Sequence, residues 1–284
     1  MKTEHTIQGV RDALRQARRD GNRIGFVPTM GNLHAGHISL IHAARARCDI
    51  VVASVFVNPT QFGANEDFGS YPRTLEEDAR LLTEAPCDLL FAPAAQEMYT
   101  NGRNQTTSVH VAELGKELCG AHRPGHFDGV STVVSKLFNI VQPDMAFFGE
   151  KDFQQLAIVR RMTRELDFPI EIVGVPTARA EDGLALSSRN GYLSPEERQQ
   201  APMLYRTLCQ LRDAITYGQR EYAMLADAAR LHLQKSGFEP DYVEIRRRSD
   251  LLLPEPGDRE LVILLAARLG KTRLIDNLNV DVPV

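Results

Sequence analysis

Two rhythms of apolar residues take turns along the first 176 positions. Short continuous apolar runs occur at 24–27, 50–57, 88–92, 144–148 and 169–175. Runs of that length, rich in Val, Ile and Phe, predict parallel strands buried on both faces. Between them the spacing changes to the helical one. Val10, Ala13, Leu14 and Ala17 fall at i, i+3, i+4 and i+7 and predict a helix over 10–19, ended by Asp20-Gly21-Asn22. Ile38, Leu40, Ile41 and Ala44 predict another directly after the first run. Thr74 with Glu77 reads as a capping box opening a helix over 74–84. Helices are also predicted over 130–141, stopped by Pro143, and over 153–166, with a weaker strand signal at 106–111. Strands alternating with helices predict an α/β fold with a Rossmann-like, doubly wound parallel sheet.

After Pro176 the pattern changes. Residues 177–190 are a polar loop, and Ser194-Pro195-Glu196-Glu197 is a helix start with Ser194 as cap. Two helical patterns reach Lys235, and strand-like runs follow at 241–245, 261–267 and 273–276. A smaller C-terminal α+β domain of about 100 residues is expected, a usual domain size. The division predicted is 1–176 and 177–284.

Composition narrows the classes. A net charge of −4 and a pI near 6.1 argue against nucleic acid as a partner. No apolar run approaches the ~18 residues of a membrane span, so no membrane partner is expected. The N-terminus lacks the apolar core of a signal peptide. Cys48, Cys87, Cys119 and Cys209 are scattered, suggesting neither a zinc site nor a disulfide framework. A cytoplasmic enzyme is the simplest class that fits.

Candidate chemistry concentrates where predicted strands meet predicted helices. His34 and His37, with Gly36 between them, stand at or just inside a helix start after a strand, where backbone N–H groups face an anion. They could be two metal ligands, two packing or capping residues, or, the preferred reading, contacts to triphosphate oxygens, with an imidazolium stabilising developing charge. Gly149-Glu150-Lys151-Asp152 occupies a similar junction. Ser187, Ser188 and Arg189 offer hydroxyls and a planar donor fork to phosphate oxygens. Gln61 and Gln155 are expected at the carboxyl edge of the sheet, where amides suit a small substrate's hydroxyl and carboxylate, and Asn58 follows the same logic. Asp78 or Glu77 could hold Mg²⁺ through oxygen ligands. His126 and Arg123 are candidate rim residues.

The order of His34-Ala35-Gly36-His37, the lysine loop and the Ser-Ser-Arg loop resembles the HIGH and KMSKS arrangement of the nucleotidyltransferase superfamily. Within it the chain resembles the pantothenate synthetases, or pantoate–β-alanine ligases, at 28–37, 56–63, 71–73, 123–130, 148–155, 183–192 and 273–277. Asp128 stands where some relatives carry a basic residue. The resemblance implies that ATP and pantoate form pantoyl adenylate and pyrophosphate, and that the β-alanine amine then displaces AMP to give pantothenate. It implies ATP binding by Met30, Gly31, Asn32, Leu33, His34, Ala35, Gly36, His37, Gly149, Glu150, Lys151, Asp152, Ala178, Leu186, Ser187, Ser188 and Arg189. His37 would be proton donor and charge stabiliser, with His34, Lys151 and Arg189 as the other cations offsetting repulsion between carboxylate and triphosphate. Gln61 would bind pantoate and later β-alanine, and Gln155 pantoate. Mg²⁺, a homodimer and a cytoplasmic location are implied as well. Acyl adenylates hydrolyse readily, so the C-terminal domain is expected to act as a lid hinged near Pro176. The alternatives are another carboxylate-adenylating enzyme, or a non-catalytic ATP-sensing protein.

Overall fold

The continuous apolar runs do become a parallel sheet. A computed structural model describes residues 1–64, 66–102 and 106–283. The elements in order are β1 (Lys2–Glu4), α1 (Ile7–Arg19), β2 (Ile24–Thr29), α2 (Ala35–Arg45), β3 (Ile50–Val55), α3 (Leu75–Glu84), β4 (Leu89–Phe91), α4 (Ala95–Met98), α5 (Cys119–His122), α6 (His126–Val141), β5 (Met145–Gly149), α7 (Phe153–Glu165), β6 (Glu171–Val175), α8 (Pro195–Gln200), α9 (Met203–Thr216), α10 (Tyr222–Lys235), β7 (Glu239–Arg247), β8 (Glu260–Leu269) and β9 (Thr272–Asp281). Short 3₁₀ turns lie at Pro59–Gln61, Glu150–Asp152 and Ser188–Tyr192. None of the described helices is long and apolar enough to cross a membrane.

The chain divides into two compact units, Met1–Glu150 with Ile158–Pro176, and Lys151–Ala157 with Thr177–Val284. In the first, the strands lie in the order β1-β4-β3-β2-β5-β6, and every pairing is parallel. Successive residues of β2 show why the runs are continuous. Val27 packs with Leu40, Ile41 and Ala44 of α2, while Phe26 points to the opposite face, and both are fully buried. The second unit is an antiparallel sheet, β7-β8-β9, whose central strand alternates Leu261, Ile263, Leu265 and Ala267 into a core shared with Leu204, Leu208 and Leu211 of α9 and Leu233 of α10. This is the α/β sheet with a smaller α+β unit that the apolar pattern implies.

Several expectations need correction. β1 has no apolar signal, because it is held through its backbone: Lys2 N donates to Asp88 O and Ala92 N to Glu4 O, both at 2.9 Å. Residues 106–111 form no strand; Val109 N is taken by the Thr132 hydroxyl at 2.9 Å instead of a ladder partner. β6 is an edge strand, half-exposed over most of its length rather than a core strand. The helix expected from 130 begins at His126. The two helical patterns before Lys235 are three helices, because Pro202 brings no N–H to continue α8 into α9. At Ser194 the predicted capping box forms, with Glu197 as its second member.

Candidate active site

β2 and β3 are parallel neighbours, so the chain leaves both at the same edge of the sheet, which is where α/β sheets bind ligands. The segment leaving β2 turns sharply. Gly31 and Asn32 adopt left-handed φ values of 83° and 51°. A Cβ on Gly31 would come within 2.9 Å of Asp78 Oδ2 and 3.0 Å of Val55 Cγ1, so conformation and space both require glycine here. Asp78 is the anchor of this turn. Its Oδ2 accepts from Asn32 N at 3.0 Å and its Oδ1 from Leu33 N at 2.8 Å, and the carboxylate is almost fully buried. The Thr74 hydroxyl donates to Asp78 Oδ2 at 3.2 Å and makes no cap bond to α3, so the capping box read there is absent. Glu77 is paired with Arg80 at 2.6 Å. Both carboxylates considered for Mg²⁺ thus serve the protein itself. Among the described residues, no three His, Cys, Asp or Glu side chains are grouped to hold a metal ion.

The two histidines form a reciprocal cap on α2. His34 is the N-cap and its Nδ1 accepts from Gly36 N at 3.1 Å, while Nδ1 of His37 accepts from His34 N at 3.2 Å. The rings lie 4.2 Å apart, centroid to centroid. A nitrogen that accepts an N–H bond carries no proton, so each ring bears its proton on Nε2. The imidazolium expected from sequence would require one of these cap bonds to break. Of the alternatives set out, the structure shows the capping one, made through Nδ1 of each ring.

The segment leaving β3 carries Asn58 and Gln61, 1% and 7% exposed. Asn58 Oδ1 accepts from the Tyr99 hydroxyl at 2.7 Å, and its Nδ2 donates to Gln61 Oε1 at 3.0 Å and Gly129 O at 3.2 Å. Burial pushes the Tyr99 phenol up, partly offset by Thr60, which keeps its O–H a donor. Asn58 is therefore a support beneath Gln61 rather than a substrate contact. With its carbonyl taken by Asn58, Gln61 presents N–H groups, and Nε2 lies 3.1 Å from Met30 Sδ at the start of the β2 turn. From the other side α6 presses on the same backbone. A Cβ on Gly129 would lie 2.4 Å from Thr60 O and 2.6 Å from Gln61 Cα and N, so only glycine allows this approach. His126 Nδ1–H donates to Gln61 O at 2.8 Å, while Arg123 donates to His126 Nε2 at 2.9 Å and to both oxygens of Glu66 at 2.6 and 2.7 Å. Burial raises the Glu66 carboxyl, but Arg123, Gly63 N and His126 outweigh it and hold it at about 2. Asp128, by contrast, is half-exposed and paired with His110 at 2.8 Å.

The second unit holds its own set. Lys151 lies in the 3₁₀ turn Glu150–Asp152, its Nζ 3.7 Å from Asp152 Oδ2. Gln155 is half-buried in the first turn of α7, beside buried Gln154. Leu186 N donates to Ala178 O at 2.9 Å, folding 178–186 into a narrow loop. Ser187 Oγ accepts from Arg189 N at 3.2 Å and caps the turn Ser188–Tyr192. Arg179, which no local motif marks, makes a bidentate pair with buried Asp276 at 2.6 and 2.8 Å at the root of that loop. Gly149 and Glu150 belong to the first unit, Gly149 as the last residue of β5.

Comparison with known proteins shows what the chain as a whole is similar to. A sequence model described as Pantoate-beta-alanine ligase matches residues 2–279. The chain is 58% identical to the pantothenate synthetase of Pseudomonas putida (strain GB-1) over 278 residues, covering 98% of this chain and 97% of that one. It is also 58% identical to that of Pseudomonas fluorescens (strain Pf0-1) over 285 residues, covering all of both. Its fold is similar to the crystal structure of pantothenate synthetase from Thermus thermophilus, with TM-score 0.91, 50% identity, and 98% and 99% of the two chains covered. It is similar as well to pantoate-beta-alanine ligase from Francisella tularensis, solved with β-γ ATP and β-alanine, with TM-score 0.81, 34% identity, and 98% and 97% covered.

Proposed function

The chain belongs to the pantoate–β-alanine ligase family, and from that premise we propose that it makes its amide bond through an acyl adenylate. The protein is a ligase that joins pantoate to β-alanine with ATP as substrate. In the first step a pantoate carboxylate oxygen attacks the α-phosphorus, the bond to the β-phosphate breaks, and pyrophosphate leaves. In the second the β-alanine nitrogen attacks the acyl carbon, the bond to the AMP oxygen breaks, and the amine gives up a proton to water.

One observation carries this reading. Gln61, its carbonyl committed to Asn58 and its Nε2 donating to Met30 Sδ at 3.1 Å, sets an amide NH₂ group where the turn into the histidine-capped helix begins. A donor for an acid thus stands beside a helix start suited to an anion, in one unit. Repulsion between carboxylate and triphosphate is the main electrostatic obstacle, and preorganised donors are the means to offset it. In this reading Nε2–H of His34 and His37 donate to phosphate oxygens, and Gln61 holds pantoate and then β-alanine. Met30 to His37, Gly149 to Asp152, Ala178 and Leu186 to Arg189 are assigned to ATP, and Gln155 to pantoate. The lid role of 177–284 and a homodimer belong to the same proposal. Since Asp78 is committed to the turn, the described residues offer no protein cage for Mg²⁺, and the ion would arrive on the triphosphate.

The test is incubation with ATP, Mg²⁺, pantoate and β-alanine, following AMP and pyrophosphate. AMP formation that requires both acid and amine supports the reading. No AMP points to an ATP sensor, and AMP formed without pantoate to a different acid.

A further inference from the structure

Strand β9 breaks its own alternation. Leu274, Asp276, Leu278 and Val280 share one face; Leu274 and Val280 belong to the core of the second unit and Leu278 packs against it. Arg273, Ile275, Asn277 and Asn279 share the other, where Arg273, Ile275 and Asn279 are half-exposed. Asn277 on that open face is nevertheless only 6% exposed. The register with β8 is continuous through this point, Asp276 opposite Leu265 and Asn277 opposite Leu264, so no bulge explains it. Asn277 is covered because Lys151–Ala157 belongs to this unit, and its Nδ2 donates to the main-chain oxygen of Lys151 at 2.9 Å.

The backbone under Asn277 is pinned in turn. Asp276 Oδ1 accepts from Asn277 N at 2.8 Å and from Arg179 Nη2 at 2.8 Å, and Oδ2 accepts from Arg179 Nη1 at 2.6 Å. Arg179 also donates to Asn277 O at 3.2 Å and Gly183 O at 3.1 Å, and its guanidinium lies 3.9 Å over the Tyr205 ring. A charge pair this buried costs desolvation that further hydrogen bonds must offset, and here both Nη groups of Arg179 make one beyond the pair itself. Removing either partner would strand the other. The network therefore fixes three things against one another: the carbonyl of Lys151, strand β9, and the root of the loop that carries Ser187 to Arg189.

We propose that Asn277 is a positioning residue for Lys151, holding the turn that presents its ammonium in fixed register with the Ser187–Arg189 loop through the Asp276–Arg179 pair. Lysine is a flexible point charge, so its placement at a phosphate depends on where its backbone is held. Misplacing a catalytic group by about 1 Å costs up to roughly a hundredfold in rate. The proposal rests on the reading of Lys151 as a phosphate contact.

The two chemical steps separate this role from a merely structural one, because Lys151 would serve adenylate formation and not the attack of the amine. Asn277→Ala is expected to lower pantoate-dependent exchange between ATP and pyrophosphate by about tenfold or more. The reaction of supplied pantoyl adenylate with β-alanine should stay within about twofold of wild type, as expected for a step that needs no oriented phosphate cation. Asn277→Asp, of equal size but without the N–H donor, should behave the same way and carries the measurement if the alanine variant does not fold. Unchanged exchange in a folded variant, or equal loss in both steps, would overturn the proposal. Lys151→Ala is the reference: if it exchanges like wild type, the reading of Lys151 fails and takes the proposal with it. If it loses exchange while both Asn277 variants keep it, the positioning role alone fails.

Discussion

Replacing His37 with residues that keep one ring nitrogen or the other separates its two jobs. Nδ1 accepts the His34 N–H and completes the cap on α2, while Nε2–H is the donor assigned to phosphate. Asparagine reproduces the reach of Nδ1 and glutamine that of Nε2. An N-cap interaction is worth about 1 kcal/mol, and a preorganised donor to developing charge about 3 kcal/mol. At 1.36 kcal/mol per tenfold, the second figure is roughly a hundredfold in kcat. His37→Asn should therefore keep the thermal midpoint of the wild type and lose roughly a hundredfold in turnover. His37→Gln should lose about 2–4 °C, the shift that ~1 kcal/mol produces in a protein of this size, and keep more turnover than the asparagine variant. His37→Ala should show both losses. Steady-state kinetics and calorimetry on the three proteins suffice. If the asparagine variant is as active as wild type, or the asparagine and glutamine variants are indistinguishable, the division of labour between the two nitrogens is wrong.

Other outcomes follow from the supports of the site. Gly129→Ala would set a methyl 2.4 Å from Thr60 O, so the Gln61 turn must move. The KM for pantoate should rise more than that for ATP, with ~1–3 kcal/mol lost in stability. Glu66 titrates at about 2 in the folded protein against a usual 4.5, so the stability it contributes is complete above 4.5 and is lost as pH falls toward 2. Comparing Glu66→Gln with wild type, the difference in thermal midpoint should be constant at neutral pH and shrink through that window; a difference independent of pH would remove the Arg123 pair as its cause. Gln155→Ala should raise the pantoate requirement more than the ATP requirement, and the reverse order would refute its assignment.

The parts of the fold visible in the sequence were those driven by burial. Residues 24–27 and 50–57 show their strands because both sheet faces are covered, and Ser194 shows its cap because Glu197 completes it locally. β1 was invisible because its contribution is backbone hydrogen bonding alone. Within the site, local pattern placed His34 and His37 at the helix start, but not that each ring caps with one nitrogen and presents the other. Thr74 and Glu77 misled for the opposite reason: a fitting local motif lost to Asp78, whose partners Asn32 and Leu33 lie more than forty positions away in sequence. Asn58, Arg123 with Glu66, and Asn277 act through contacts between distant segments. The only sequence trace of Asn277 was its presence in the family-like stretch 273–277.

The fate of an oxygen atom tests the acyl adenylate most directly. Pantoate labelled with ¹⁸O in its carboxylate should, with ATP and β-alanine, transfer one labelled oxygen to AMP and leave the pyrophosphate unlabelled. Label in inorganic phosphate, with ADP as the nucleotide product, would mean activation through an acyl phosphate and would contradict the mechanism.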